Sequence, residues 1–221
     1  AYAVSILCLR PRSAGGQSDS LDVTVAPDVL DSITLSSSSE TVVAGKTLQF
    51  TATGFDQYGN PTNDVILFSS DTGSITSFGL LTAPTSIGLV TVTATSGLIS
   101  GQKQVSVVSD VIAFGVIAPT GINSVDNHQT QAFNALSVED AYGNSVNVES
   151  VVWSVTGGIG SIDSNGLFSA ANAGVGSINA VVSDGAASIQ LTKAFTVNDV
   201  DAPVVTLENP DNYVSSMPII P

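Results

Sequence analysis

One stretch of eleven residues occurs twice in the sequence in nearly the same form. Residues 73–83 read GSITSFGLLTA and residues 160–170 read GSIDSNGLFSA. The match extends upstream, where FDQYGNP (55–61) corresponds to EDAYGNS (139–145). Self-similarity at a fixed period indicates a chain built from copies of one structural unit. We therefore predict two homologous units of roughly 80–90 residues each.

The hydrophobic pattern inside each unit alternates with a period of two. In TLQFTAT (47–53) the residues Leu48, Phe50 and Ala52 fall on one face, and LVTVTAT (89–95) alternates in the same way. This period is typical of a β-strand with one buried face and one solvated face. Several short strands of this kind, separated by turn residues, predict an all-β fold with one two-sheet sandwich per unit.

The repeated stretch is predicted to be scaffold. Gly79 and Gly166 each precede a Leu, where a tight turn with positive φ would lead the chain into a short strand. Phe68 and Trp153 occupy equivalent positions, at which such a sandwich buries a large aromatic side chain. The predicted core residues of both units are Phe50, Phe68, Ile75, Leu80, Phe133, Trp153, Ile162 and Leu167.

The charge of the chain restricts its partners. Five Lys and Arg stand against nineteen Asp and Glu, which gives a net charge of −14. This balance argues against binding to nucleic acid or to anionic lipid headgroups. The longest apolar runs fall well short of the ~18 residues of a membrane helix, so no direct membrane span is expected. The single cysteine, Cys8, excludes an intrachain disulfide.

The two ends carry strand patterns without the rest of a domain. Residues 21–33 read as a terminal strand followed by the first strand of unit 1, and residues 202–210 read as the first strand of a further domain. Such strands are either parts of neighbouring domains or strands donated to another subunit. Residues 1–9 are apolar on both faces, and residues 10–20 form a polar tether. The hypothesis of donation assigns subunit assembly to Tyr2, Val4, Ile6, Leu7 and Leu9; the alternative is a strand of the chain's own first unit.

Little in the sequence supports catalysis, so we expect no enzyme. The single histidine, His128, lies in a polar run and is assigned to the surface. No nucleophile signature of the G-x-S-x-G type is present. Glu139 and Asp140 are adjacent on a strand, where they would point to opposite faces, and are interpreted as loop or edge acids.

Calcium is the most credible ligand, at the junctions between units, and no other cofactor is expected. Hard cations take several carboxylate and carbonyl oxygens. Turn formation by the same residues is the alternative. The candidate metal ligands are Asp28, Asp31, Asp110, Asn198, Asp199 and Asp201.

The repeated Tyr-Gly-Asn could form a sugar-binding loop, but a plain turn explains it more simply.

The repeated string of Y-G-N, aromatic-Ser, S-x-G-L and the late Gly-rich strand resembles the bacterial immunoglobulin-like (Ig-like) domains of invasin- and intimin-type surface proteins and of cell-wall and S-layer proteins. The resemblance covers about residues 31–199. It implies two tandem Ig-like sandwiches with boundaries at 1–29, 30–109, 110–199 and 200–221, and no catalytic residue.

What the resemblance implies about function is an extracellular or cell-surface structural protein. The chain would be a subunit or stalk segment of a filament, surface layer or adhesin, with strand donation between subunits as one mode of assembly. Its partners would be copies of itself, adjacent Ig-like domains, or a host or cell-surface receptor or glycan. The alternative is an accessory carbohydrate-binding or receptor-binding module of a larger secreted protein.

Overall fold

The computed structural model describes residues 2–6 and 21–202 of the chain, and these residues form strands and turns without a helix. The described part therefore contains no helix with the length and apolarity needed to cross a bilayer. The first two strands are β1 (Tyr2–Ile6) and β2 (Leu21–Val25). They pair antiparallel with each other, from Tyr2 opposite Val25 to Ile6 opposite Leu21. Of the predicted assembly residues, Leu7 and Leu9 lie outside the described residues.

The first repeat consists of eight strands in two four-stranded sheets. Its strands are β3 (Leu30–Ser37), β4 (Thr41–Val43), β5 (Thr47–Asp56), β6 (Leu67–Ser70), β7 (Ser74–Ile75), β8 (Leu80–Thr82), β9 (Gly88–Ser96) and β10 (Ile99–Val108). One sheet has the order β3-β5-β8-β7, and the other has the order β4-β10-β9-β6. All these pairs are antiparallel except β4, which runs parallel to β10.

The second repeat has the same sequence of strands with one interruption. Its strands are β11 (Ile112–Ala118), β12 (Ser124–Asp126), β13 (Thr130–Ala132), β14 (Asn134–Asp140), β15 (Ser150–Thr156), β16 (Gly160–Ile162), β17 (Leu167–Ala170), β18 (Gly174–Ser183) and β19 (Ser188–Asn198). The sheets have the orders β12-β19-β18-β15, β13-β17-β16 and β11-β14. The long strand β5 of the first repeat thus corresponds to two shorter strands, β13 and β14, which are separated at Phe133. The all-β fold class that the sequence predicts is confirmed.

The chain divides into two compact units. Among the described residues, the first unit comprises those up to Gly115 together with Ser137–Ser150 and Ser183–Ile189. The second unit comprises Val116–Leu136, Val151–Val182 and the described residues from Gln190 onward. This division does not follow the repeats, and the domain boundaries drawn from the sequence stay a prediction.

The core of the first unit consists of apolar residues on the faces that the alternating pattern predicts to be buried. Phe50 on β5 and Val90, Val92 and Ala94 on β9 have no solvent exposure. Phe68 and Ile75 are half-buried and pack against this core. Burial of apolar side chains at about 25 cal/mol per Å² is the main favourable contribution to folding.

Three phenylalanines in edge-to-face contact form the core of the second unit. Phe133, Phe168 and Phe195 are buried, and their ring centroids are 5.2 Å (Phe133 to Phe195), 5.6 Å (Phe168 to Phe195) and 6.5 Å (Phe133 to Phe168) apart. The edge-to-face arrangement brings the positive ring edge against the negative ring face. Trp153 and Ile162 are half-buried.

Leu80 and Leu167 do not lie in the core, which corrects the sequence prediction. Their side chains are 38% and 42% exposed, whereas Leu81 and Phe168, one residue later, are fully buried. Directly opposed residues of antiparallel strands share a face. Ile75 lies opposite Leu81, and Ile162 lies opposite Phe168, so the preceding leucines face the solvent.

The glycine of the repeated stretch is required by both conformation and space. Gly79 and Gly166 have φ values of +78° and +80°. A Cβ at Gly166 would collide with the carbonyl oxygen of Phe133 and lie 3.1 Å from Trp153 Cε2. The Gly166 carbonyl in turn accepts a hydrogen bond of 2.8 Å from the backbone N–H of Phe133. The half-buried Trp153 therefore covers the glycine turn.

We predict that Gly166→Ala lowers the free energy of unfolding by at least ~2 kcal/mol, because it adds a left-handed conformation to a backbone collision. Gly121→Ala is the matched control, since a Cβ at Gly121 meets no atom within 4 Å. Its effect should stay within ~0.5 kcal/mol. Equilibrium unfolding in denaturant measures both values. A Gly166→Ala variant as stable as the parent would contradict this interpretation of the turn.

Candidate functional site

A buried carboxylate, that of Asp56, accepts a hydrogen bond from the backbone of the linker that leads into the first repeat. Asp56 is only 3% exposed. Its Oδ1 accepts hydrogen bonds from the backbone N–H groups of Tyr58 (2.9 Å) and Asn60 (2.8 Å). Its Oδ2 accepts from the backbone N–H of Asp28 (2.9 Å) and from Asn60 Nδ2 (3.0 Å). The carboxylate therefore joins its own loop, the Asp56 loop (residues 56–60), to the preceding linker.

The second repeat contains the same arrangement. Asp140 has no solvent exposure, and its Oδ1 accepts from the backbone N–H groups of Tyr142 (2.8 Å) and Asn144 (2.9 Å). Its Oδ2 accepts from the backbone N–H of Asp110 (3.0 Å) and from Asn144 Nδ2 (2.8 Å). We call residues 140–144 the Asp140 loop. Each of the two loops thus fixes the backbone of an incoming Asp-Val linker.

The sequence Asp-x-Tyr-Gly-Asn explains this loop conformation. The glycines, Gly59 and Gly143, have φ values of +80° and +83°. Their N–H groups donate to the backbone carbonyls of Asp56 and Asp140 at 3.0 Å and 3.2 Å. An Asp side chain that accepts from the backbone two residues on is a standard turn former. The Asn at the end supplies the fourth donor to the carboxylate.

The hydrogen bonds keep both carboxylates ionised. Burial raises the pKa of Asp56, but the hydrogen bonds from the Asn60 side chain and from the backbone of Asp28, Asn60 and Tyr58 outweigh it and lower the pKa to about 2. Burial likewise raises the pKa of Asp140. The Asn144 side chain and the backbone of Asn144, Asp110 and Tyr142 lower it to about 2.

The linker at Asp110 is held at three consecutive backbone N–H groups. The N–H of Asp110 donates to Asp140, that of Val111 to Asp110 Oδ1 (2.9 Å), and that of Ile112 to Asp184 Oδ2 (2.7 Å). Lys46 Nζ lies 3.3 Å from Asp110 Oδ2. At the earlier linker, Asp28 Oδ1 accepts from the Val29 N–H (2.8 Å). The backbone direction is therefore specified at both linkers.

Asp184, which accepts the hydrogen bond from Ile112, is stabilised in its ionised form. Hydrogen bonds from the backbone of Ala187 and Ile112 lower the pKa of its carboxyl group, and they outweigh the opposing effect of burial. A groove of about 310 Å³ lies beside the linker, lined by residues that include Val43, Val111 and Val146. The carboxylates of Asp110 and Asp184, which also line it, already accept hydrogen bonds. The lining is mixed, since Ser109 and Asn147 also line the groove beside these side chains.

The Asp140 loop also makes contacts beyond its own linker, all within the first unit. Asn144 Nδ2 donates to the carbonyl of Thr85 (2.8 Å), and the N–H of Ile87 donates to Asn144 Oδ1 (3.2 Å). The Tyr142 hydroxyl lies against the turn at Gly45, only 2.7 Å from where a Cβ of Gly45 would be. Gly45 has a φ of +72°. The loop thus docks through one amide and one aromatic side chain.

The predicted calcium ligands are not gathered into one cluster. In the described residues, no group of three or more His, Cys, Asp or Glu side chains is arranged to hold a metal ion. Asp31 is exposed. Asn198 Nδ2 donates to Asp126 Oδ1 (3.1 Å), and Asp199 Oδ1 accepts from the Asp201 N–H (3.0 Å). The calcium hypothesis stays a prediction.

His128 has a partner that the sequence did not indicate. Its Nε2 lies 3.2 Å from Asp201 Oδ1, and Asn127 Nδ2 donates to Asp201 Oδ2 at 2.7 Å. The His128 ring is about two-thirds exposed, and its φ is +64°. A non-glycine residue with positive φ is uncommon. His128 therefore belongs to a strained turn at the surface of the second unit.

Sequence reasoning missed the structural importance of Asp56, Asp140, Asp184 and Lys46. Asp140 ends β14 and begins the loop, as the interpretation of a loop or edge acid has it, but the residue is fully buried, which the sequence analysis did not predict. A signal was present: the spacing Asp-x-Tyr-Gly-Asn occurs in both repeats. The interpretation of Tyr-Gly-Asn as a turn describes its local conformation but omits its docking contacts.

No family model and no curated protein matches this chain. The similar solved structures include the FdeC adhesin of Escherichia coli, with 19% identity, 81% of this chain and 69% of that chain covered, and a TM-score of 0.54. They also include domains 4 and 5 of the S-layer protein SbsC (18% identity, 78% and 99% covered, TM-score 0.35). A third is a C-terminal fragment of intimin in complex with the intimin-binding domain of its receptor Tir (19%, 76% and 65%, TM-score 0.36).

These similarities agree with the families that the sequence resembles, which include invasin-, intimin- and S-layer-type proteins. At TM-scores below 0.5, SbsC and intimin add nothing to the fold assignment. The FdeC match supports it, at an identity that shows the fold alone. The chain is thus an all-β protein of Ig-like fold, with carboxylate-fixed linkers in both repeats.

We predict that the chain loses stability as the pH falls from about 4 to about 2. A carboxyl group with a folded-state pKa of about 2 and an unfolded value of about 3.9 stabilises the fold above pH 4, and protonation removes this contribution. The double variant Asp56→Asn/Asp140→Asn should melt at a lower temperature at neutral pH and show a flatter profile below pH 4. Melting temperature against pH measures both effects.

Asp64→Asn is the control, because Asp64 is exposed and lies in the same unit. This variant should keep the acid profile of the parent chain. An unchanged profile in the double variant would show that the two buried carboxylates do not cause the loss.

The calcium hypothesis gives a separate prediction. If the junction acids bind Ca²⁺, calorimetric titration gives a saturable signal and the melting temperature rises with ligand concentration. Asp199→Asn/Asp201→Asn should reduce both effects. A titration without heat and a constant melting temperature would exclude a calcium role for the candidate ligands.

Proposed function

We propose that this chain is a non-catalytic structural segment of an extracellular surface protein, such as a stalk, surface layer or adhesin. The observation that carries the proposal is the use of one buried carboxylate per repeat to fix the backbone of the incoming linker. Asp56 and Asp140 each accept one hydrogen bond from the linker backbone and three from their own loop, so the carboxylate ties the linker to the loop. A chain of sandwiches in series needs a defined linker path at each junction.

The same carboxylates are poorly suited to acid–base catalysis. A general acid or base works best with a pKa near the operating pH and with access to the substrate. Asp56 and Asp140 are buried, and their pKa values lie at about 2. Most of the groups that donate hydrogen bonds to these carboxylates are backbone N–H groups, which are fixed by the fold of the loop and the linker. These properties favour a structural role for the Asp56 and Asp140 carboxylates and their hydrogen-bond partners.

The similarity to an adhesin supports a location at the cell surface. Its partners would be adjacent Ig-like domains, copies of the chain, or a receptor on another cell. Strand donation is the more specific hypothesis, with Tyr2, Val4, Ile6, Leu7 and Leu9 entering a neighbouring subunit. Among the described strands, β1 pairs only with β2 of the same chain, so under this hypothesis the other edge of β1 would pair with a strand of the neighbouring subunit.

Labelling and microscopy on producing cells test this proposal. A membrane-impermeant maleimide should label Phe78→Cys in a Cys8→Ser background on intact cells, because Phe78 is among the most exposed apolar residues. Negative-stain microscopy of the native material should show a filament, a layer or an extended stalk. A chain that lacks residues 1–12 should reach the surface without assembling if strand donation operates.

Two results would count against these proposals separately. Absence of label on intact cells, with labelling after lysis, would reject the surface location. Normal assembly of the chain that lacks residues 1–12 would reject strand donation and leave the surface role untouched.

A further inference from the structure

We propose that the Asp56 loop is a docking site for the end of another Ig-like sandwich, one that presents a glycine turn beside an outward backbone carbonyl and N–H. This inference names the kind of partner in the proposed function and rests on it. The partner is defined by the chemistry of a contact that the first unit already contains.

The Asp140 loop supplies the model for this contact. The Asn144 side chain bridges two backbone groups, the Thr85 carbonyl at 2.8 Å and the Ile87 N–H at 3.2 Å. A primary amide matches a carbonyl and an N–H because it carries one donor group and one acceptor group on the same carbon. Tyr142 covers the turn at Gly45, where a side chain would meet the Tyr142 ring. Recognition thus requires an amide and an aromatic on one side, and a glycine on the other.

The Asp56 loop has the same residues in the same conformation. Tyr58 and Asn60 correspond to Tyr142 and Asn144, and the four hydrogen bonds to the Asp carboxylate are the same in both loops. Tyr58 is 75% exposed, however, whereas Tyr142 is 48% exposed. The Asn60 side chain donates to Asp56, and in the described part of the chain it has no contact equivalent to the bridge that Asn144 forms. Among the described residues, the Tyr58 and Asn60 side chains thus make no contact like those of Tyr142 and Asn144, although the loop has the same conformation.

The chain approaches both loops in the same way. The antiparallel pair β9 and β10 leads into Asp110, whose N–H donates to Asp140. The antiparallel pair β1 and β2 leads into Asp28, whose N–H donates to Asp56. In both cases an Asp-Val linker follows an antiparallel pair of strands. The pair before the Asp140 loop belongs to the sandwich of the first repeat, and the pair before the Asp56 loop forms a two-stranded sheet.

Not every sandwich end qualifies as the partner. The turn at Gly45 and the turn at His128 have the same backbone hydrogen bonds, from Lys46 N–H to the Val43 carbonyl and from Gln129 N–H to the Asp126 carbonyl. His128 fills the position that Tyr142 needs to be empty at Gly45, and its ring contacts Asp201 instead. A glycine at this turn is therefore the feature that selects the partner.

A chain with one repeat duplicated tests the proposal. In a chain of residues 1–110 followed by residues 29–221, the second copy of the Asp56 loop follows a complete Gly45 turn through the native Asp110 junction. Tyr58→Ala in the second copy should lower the melting temperature by about 2–4 °C, the shift typical of one lost contact in a domain of this size. Tyr58→Ala in the first copy is the matched control and should leave the melting temperature unchanged.

Equal shifts at both copies, or no shift at either, would overturn the docking role, because only the second copy of the loop is preceded by a complete sandwich with a Gly45 turn, and the first copy is preceded by residues 1–28. The comparison uses purified protein and is independent of cell location. Its failure would leave the labelling result on intact cells standing, and absence of surface label would leave the copy-specific shift standing.

Discussion

The structure of the first unit depends on buried carboxylates that accept backbone N–H groups. A buried carboxylate is costly unless its lone pairs are satisfied. Asp56 and Asp140 meet this condition with three backbone donors and one Asn side chain each. One of the three backbone donors comes from the linker, so the loop is fully satisfied only when the linker is in place. Loop conformation and linker path therefore form together.

The two repeats show which features tolerate change. Strand β5 is continuous, whereas its counterpart is divided at Phe133, and Ser137 in β14 has a φ of +50°. The glycine turn, the aromatic over it and the Asp loop nevertheless keep their geometry in both repeats. Strand continuity can vary because a sheet loses only a few ladder hydrogen bonds at an interruption. A left-handed turn against a carbonyl oxygen has no such alternative, so both repeats keep the glycine.

Much of the fold was predictable from the period-two pattern, and the failures have physical causes. The pattern identified Phe50 and the inward face of β9, because alternation transfers directly to burial in an antiparallel sheet. The pattern assigned Leu80 and Leu167 to the core, whereas the next residues, Leu81 and Phe168, are the buried ones. The strand register after the turn decides which of two adjacent apolar residues points inward. The burial of Asp140 was not predicted because an acid beside a turn is usually solvated, and only its hydrogen-bond donors distinguish it. The candidate metal ligands were chosen because acids and amides are concentrated at the predicted junctions. The sequence does not show whether such a side chain already accepts a hydrogen bond within the fold.

The linkers differ in how firmly they are held, and this difference bears on the charge of the chain. At Asp110 the backbone donates to three carboxylates, and Lys46 adds an ion pair at 3.3 Å in which its own side chain is largely exposed. Exposed ion pairs contribute about 0–1 kcal/mol, so the backbone hydrogen bonds carry most of the specificity. A chain with a net charge of −14 can thus keep its buried acids ionised with few basic residues. The backbone N–H groups of its turns and linkers supply most of the stabilisation of the Asp56 and Asp140 carboxylates.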